Sequence, residues 1–261
     1  MIQFATGAFQ ASPAPKARPD TLAGLIILPT RFNWVERNVM PEVRDQGLKC
    51  ASSYAFASAD LVAAQWSIEN GTVPQLLSTQ VVMDCLRAPE AFGCKGGDPI
   101  GALNAISSCK SCTWPSEACY PYESRVGSKC SVNELRCESL STAINVPAIS
   151  EIDAGGNAEQ EIVASLLQRG PLLAMVEVTD HWQHFSKGVM RSTQCSTPSK
   201  LNHAVVITGY DFSGSVPFYI VKNSWGKNWG YNGYVTLEAG TNTCGIASRL
   251  VGMCVKCQRN I

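Results

Sequence analysis

Cysteine sets the first limit on what this chain can become. Twelve cysteines are scattered over 261 residues, an even count at irregular spacings. That density points to an oxidising compartment, where cross-links add to whatever core the chain builds. Asn70-Gly71-Thr72 is a glycosylation sequon that fits the same route. Cys109-x-x-Cys112 and Cys254-x-x-Cys257 together also have the spacing of a four-thiolate zinc site. Disulfides are expected there instead, because the other cysteines already argue for oxidation, and no cofactor or metal is expected. The localisation that follows is the secretory pathway, outside the cell or in a lysosome- or vacuole-like compartment.

A sizeable core is within reach, since 45% of the residues are hydrophobic. Lys+Arg 21 balance Asp+Glu 21, so no basic footprint points to nucleic acid or an anionic membrane. No apolar run approaches the roughly 18 residues of a membrane span. Residues 1–27 hold Pro13, Pro15 and Pro19 and read as a flexible lead-in. Met1 to Asp20 lacks a charged n-region followed by an apolar h-region and does not read as a signal peptide, and Met1 is expected to be an artificial start after removal of upstream sequence.

Periodicity then divides the chain. Tyr54, Phe56, Ala57, Leu61 and Ala64 form an apolar stripe at helical spacing, ended by Asn70-Gly71. Asn157, with Gln160 three residues on, can cap a short helix carrying Ile162, Val163, Leu166 and Leu167. Gly170-Pro171 breaks that helix. Strands are expected at 172–178, 204–209, 218–222 and 233–237. The expected division is a helical lobe over 28–140 and a β-rich lobe over 141–261.

The segment Asp45-Gln46-Gly47-Leu48-Lys49-Cys50-Ala51-Ser52-Ser53-Tyr54-Ala55-Phe56 resembles the nucleophile segment of the papain-like cysteine peptidases. Leu77-Ser78-Thr79-Gln80 with Asp84-Cys85, Gly93-Cys94-Lys95-Gly96-Gly97, Tyr120-Pro121-Tyr122 and Leu201-Asn202-His203-Ala204 are similar to further segments of that family. The most specific is Asn223-Ser224-Trp225-Gly226 followed by Trp229-Gly230-Tyr231-Asn232-Gly233-Tyr234. His203 follows Ser53 at the upper edge of the roughly 130–150 residues usual in the family. The resemblance runs from about Leu28 to Leu250. It implies an α+β fold of two lobes, one helical and one β-rich, with the active-site cleft between them.

Carried over residue by residue, the resemblance makes His203 the general base, Asn223 its orienting partner and Gln46 an oxyanion donor. Trp225 becomes the shield of the His203–Asn223 bond. Gly96 and Gly97 become the edge that pairs with a bound peptide backbone, with Asp98 in place of the usual apolar or aromatic residue. Arg249 falls at the base of the main side-chain pocket with Met175 and Asn202 as walls, and either favours an acidic side chain or points to solvent. The implied disulfides are Cys50–Cys94, Cys85–Cys130 and Cys195–Cys244; Cys109, Cys112, Cys119, Cys137, Cys254 and Cys257 are expected to pair among themselves. Cys50 is then structural.

The nucleophile position is held by Ser53. A free thiol ionises near pH 8.5 and is brought far lower in a papain-like ion pair, whereas a hydroxyl is much harder to ionise. Three readings follow: a natural homologue that gave up catalysis, a cysteine endopeptidase carrying a deliberate Cys-to-Ser replacement, or a Ser–His–Asn hydrolase. Ala51, Tyr54, Asp98 and one extra residue near Lys49 also depart from the family pattern, which favours the first. The expected partner is a peptide or protein held in the cleft, and the oligomeric state is left open.

His181 and His184, flanking Trp182, read as surface or packing residues.

Overall fold

A computed structural model describes residues 28–86, 91–108, 114–127, 129–130, 150–152, 158–195 and 200–253. In chain order the elements are β1 (Arg31–Asn33), α1 (Ser53–Asn70), α2 (Gln80–Cys85), α3 (Pro99–Ser108), β2 (Ser150–Ile152), α4 (Ala158–Gln168), β3 (Leu172–Val176), α5 (Asp180–Gln183), β4 (Val189–Met190), β5 (His203–Asp211), β6 (Phe218–Lys222), β7 (Tyr234–Glu238) and β8 (Leu250–Gly252). The expected cap at Asn157 lies outside the described residues, as do Cys109, Cys112, Cys137, Cys254 and Cys257.

The fold is the two-lobe α+β arrangement. One sheet runs β2-β8-β3-β5-β6-β7-β4, with β1 pairing β5. Its pairings are antiparallel except β4 with β7. Every residue of β3 is buried, and the strand's period of two explains why. Leu173, with Ala204 and Val206 of β5, packs into the core built on α1. Leu172, Ala174 and Val176, with Val205 and Ile207, enter the core shared with α4. Covered on both faces, the strand reads as an unbroken apolar run.

Helix α1 is buried on nearly every side from Ser53 to Gln65. The expected stripe understates this burial, because the helix is the interior element against which the sheet and the other helices pack. It ends in a left-handed residue, Gly71 (φ 63°), whose N–H bonds the Ser67 carbonyl. Gly209 has a different reason to be glycine. A Cβ there would come within 2.2 Å of the Phe32 carbonyl oxygen, so β1 could not pair with β5.

Buried charge fastens α1 to the rest. Asp60 of α1 pairs with Lys222 of β6 and, at 3.0 Å, with Arg44. Arg44 also holds Glu117 at 2.9 Å and lies over the Phe56 ring. The Glu117 carboxylate accepts the Thr79 N–H. Loss of water pushes the Lys222 ammonium below its ordinary range, and Asp60 opposes that shift.

Three disulfides close the described part: Cys50–Cys94, Cys85–Cys130 and Cys195–Cys244. They are the pairs the resemblance implied. Cys119 is also disulfide-bonded, its partner lying outside the described residues. No helix among the described residues is long and apolar enough to cross a membrane.

Candidate active site

The chain brings Ser53 to the start of α1 and His203 to the start of β5. As the first helical residue, Ser53 has an N–H with no carbonyl partner inside the helix, and the positive end of the helix dipole lies at its side chain. Ser53 Oγ accepts the N–H of Ala204, the residue after His203, at 3.2 Å. Ser53 is 2% exposed and His203 is fully buried.

His203 has one ring nitrogen committed and one open. Nε2 lies 2.7 Å from Asn223 Oδ1, which also accepts the Ser224 N–H at 2.8 Å. An acceptor used in this way requires the proton on Nε2 and leaves Nδ1 with a lone pair in the neutral ring. Nδ1 has no hydrogen-bond partner among the described residues. Burial drives the imidazole pKa down to about 4, only partly opposed by Asn223. The ring is therefore neutral at physiological pH.

Aromatic rings enclose it. Trp225 lies 4.9 Å from the His203 ring centre and Trp182 meets it edge-on at 6.4 Å. Trp229 stacks on Trp182 at 6.2 Å. Trp225 is the ring the resemblance implies; Trp182, which sits in α5 between His181 and His184, is not among the residues it names. Those two histidines lie outside the cluster: both are exposed, and His184 Nδ1 is 2.8 Å from the Asp180 carbonyl.

Gln46 is fully buried. Its amide nitrogen donates to the Cys50 carbonyl at 2.9 Å, and its amide oxygen accepts from Ser224 at 2.7 Å. The segment that precedes α1 is thus tied to the segment that follows Asn223. Cys50 is bonded to Cys94 and has no thiolate to offer.

The two glycines and four side chains that the resemblance assigns to a bound peptide are placed as follows. Gly96 (φ 108°) and Gly97 are buried, with Gly97 bridged to Ala91. Met175 of β3 pairs in register with Ala204, and its sulfur lies 3.6 Å from Arg249 Nη1. Arg249 does not point to solvent: Nη2 donates to Asp98 at 3.0 Å, and the two side chains are 11% and 0% exposed. Asn202 has its amide oxygen taken by the Val178 N–H at 2.9 Å.

Residues 28–254 match the family described as papain family cysteine protease. The chain belongs to the papain family. Human cathepsin O is 33% identical over 225 residues, covering 85% of this chain and 65% of that protein. Pro-cathepsin H of Medicago truncatula is 32% identical over 224 residues, covering 85% of this chain and 61% of that protein. The chain thus spans about three fifths of the length of curated papain-family relatives. Digestive procathepsin L 3 of Tenebrio molitor superimposes with a TM-score of 0.77 at 29% identity, covering 92% of this chain and 75% of that one. The bromelain protease of Ananas comosus, in complex with the E64 inhibitor, gives 0.72 at 29% identity, covering 87% and 99%.

Proposed function

We propose that this papain-family chain holds a peptide or protein segment in its cleft and cuts it very slowly or not at all. In this reading Ser53 occupies the nucleophile position, His203 the base position and Asn223 the orienting position, with Gln46 beside the oxyanion and Trp225 and Trp182 as shields. The observation that carries it is a hydroxyl at residue 53, bonded to the N–H of the residue after His203, together with an imidazole whose pKa burial lowers to about 4. A papain-like thiol works as a thiolate beside an imidazolium, each stabilising the other. A hydroxyl offers no anion to hold the proton on His203. Asn223 is an amide, which stabilises an imidazolium less than the carboxylate of a serine triad. Loss of a nucleophile elsewhere costs roughly 10⁶ in turnover. The three disulfides fit an oxidising, secretory compartment.

One observation favours a second reading, a cysteine endopeptidase in which Ser53 stands for the cysteine. The His203–Asn223 bond is formed at 2.7 Å, which supports a base and an orienting partner kept ready for a nucleophile. Ser53→Cys separates the two readings. Binding of labelled peptides without cleavage by the variant supports the first. Rapid amide cleavage by the variant, lost again with His203→Ala, supports the second.

A further inference from the structure

The far end of α1 carries a motif that the peptide cleft does not use. Asn70-Gly71-Thr72 is the single Asn-x-Ser/Thr sequon of the chain. Asn70 is the last residue of the helix, roughly 25 Å along it from Ser53, and all three sequon residues are exposed. The Asn70 amide lies back on the preceding turn, where Nδ2 donates to the Trp66 carbonyl at 2.9 Å. The left-handed Gly71 then turns the chain. The Thr72 N–H returns to the Ser67 carbonyl at 3.2 Å, and Ser67 Oγ donates to the Thr72 carbonyl. Beside this fixed turn opens a second cleft, of about 430 Å³. It is lined by Trp34, Arg37 and Asn38 from the segment after β1 and by Ile68, Thr72 and Val73 from the helix end. Val73 is an apolar side chain left 69% exposed.

We propose that Asn70 is an N-glycosylation site and that the first sugar of its glycan lies in this second cleft. The inference goes beyond the peptide-holding reading and shares with it only the secretory compartment. The sugar arrives from a lipid-linked pyrophosphate oligosaccharide. The bond from Asn70 Nδ2 to the sugar C1 forms, the C1–O bond to the pyrophosphate breaks, and one amide proton is lost as the lipid pyrophosphate departs. Nδ2 keeps its second proton, so its bond to the Trp66 carbonyl survives. The covalent tether then holds the sugar beside the cleft at a high effective concentration. The lining suits a pyranose. Trp34, its ring fixed by a 2.9 Å bond from Nε1 to the Leu166 carbonyl, offers an apolar surface to the C–H face of the sugar, and Val73 adds to it. Arg37 and Asn38 bring donors and an acceptor for hydroxyl and acetamido groups. The volume lies within the roughly 300–1,000 Å³ of small-molecule sites. Set at the opposite end of α1 from Ser53, the glycan leaves the peptide cleft open.

The test secretes the full chain behind a cleavable signal from cells whose N-glycans stay of the high-mannose type. Mass spectrometry of the secreted protein is expected to find an oligosaccharide on Asn70, cut by endoglycosidase H to a single N-acetylglucosamine, and none in Asn70→Gln. Thr72→Val, which removes the sequon but keeps Asn70, serves if Asn70→Gln is not secreted. The protein trimmed to one sugar is expected to melt about 2–4 °C above the sugar-free variant, the shift of one modest contact in a chain of this size. That difference should vanish when Val73→Ser is carried in both proteins. A secreted protein with Asn70 unmodified overturns the inference. A glycan on Asn70 that leaves the melting temperature unchanged overturns its seat in the cleft. Neither result touches the peptide-holding reading, which the binding of labelled peptides decides separately.

Discussion

His203 Nε2 and Asn223 Oδ1 lie 2.7 Å apart, in a site where the other ring nitrogen has no hydrogen-bond partner among the described residues. That asymmetry defines the chemistry available. The ring is held in one tautomer, its lone pair is free, and burial keeps it uncharged.

The pH dependence follows from the depressed pKa. His203 has its pKa lowered from 6.5 to about 4 by burial, so between those values the unfolded chain binds more protons than the folded one. Its contribution to stability is complete above pH 6.5 and lost as the pH falls through that window, by about 3 kcal/mol in all. Denaturant melts at pH 7 and pH 4 should show a drop that is smaller in His203→Gln. A Ser53→Cys variant should move the imidazole pKa upward, read by NMR, because a thiolate would then stabilise the imidazolium. An unmoved pKa would mean that the helix start no longer supports an ion pair.

The buried charge network makes a stability prediction. Glu117→Gln removes one carboxylate from Arg44, and Lys222→Met removes the cation from Asp60. Lys222→Met should cost about 3–5 kcal/mol, since it leaves Asp60 with half its partners in a buried place. Glu117→Gln should cost less, because an amide can still accept from Arg44 and Thr79. Urea unfolding measures both, and equal, negligible losses would show that the network contributes little.

The disulfide at the helix start is a third case. Cys50→Ala with Cys94→Ala should cost about 2–5 kcal/mol, seen as a lower melting temperature. In a Ser53→Cys background the same pair should leave thiol alkylation at residue 53 intact. Loss of that alkylation would show that the disulfide is needed to place the nucleophile position.

Much of this architecture was legible where local sequence carries a fixed job. The strand expected at 218–222 is β6 as found, and the one expected at 204–209 extends by a residue at the start and two at the end. Short strands escaped notice because three residues carry no usable period: β1 and β8 exist only through their partners, β5 and β3. One member of the buried charge network and one ring beside His203 went unassigned for a similar cause. Glu117 serves Arg44 from a cysteine-rich stretch with no motif of its own, and Trp182 packs on His203 from a four-residue helix. The resemblance puts Arg249 at the base of a side-chain pocket with two possible directions. Only the fold shows Asp98 reaching it from the opposite lobe, across 151 positions of sequence.

Binding without cutting is proposed here because residue 53 carries a hydroxyl and the His203 imidazole is neutral. Its most direct test is the rate of peptide-amide hydrolysis by the protein as it stands, compared with His203→Ala. The account predicts that both rates are indistinguishable from the uncatalysed background while labelled peptides still bind. Sustained turnover by the unsubstituted protein, abolished by His203→Ala, would contradict it.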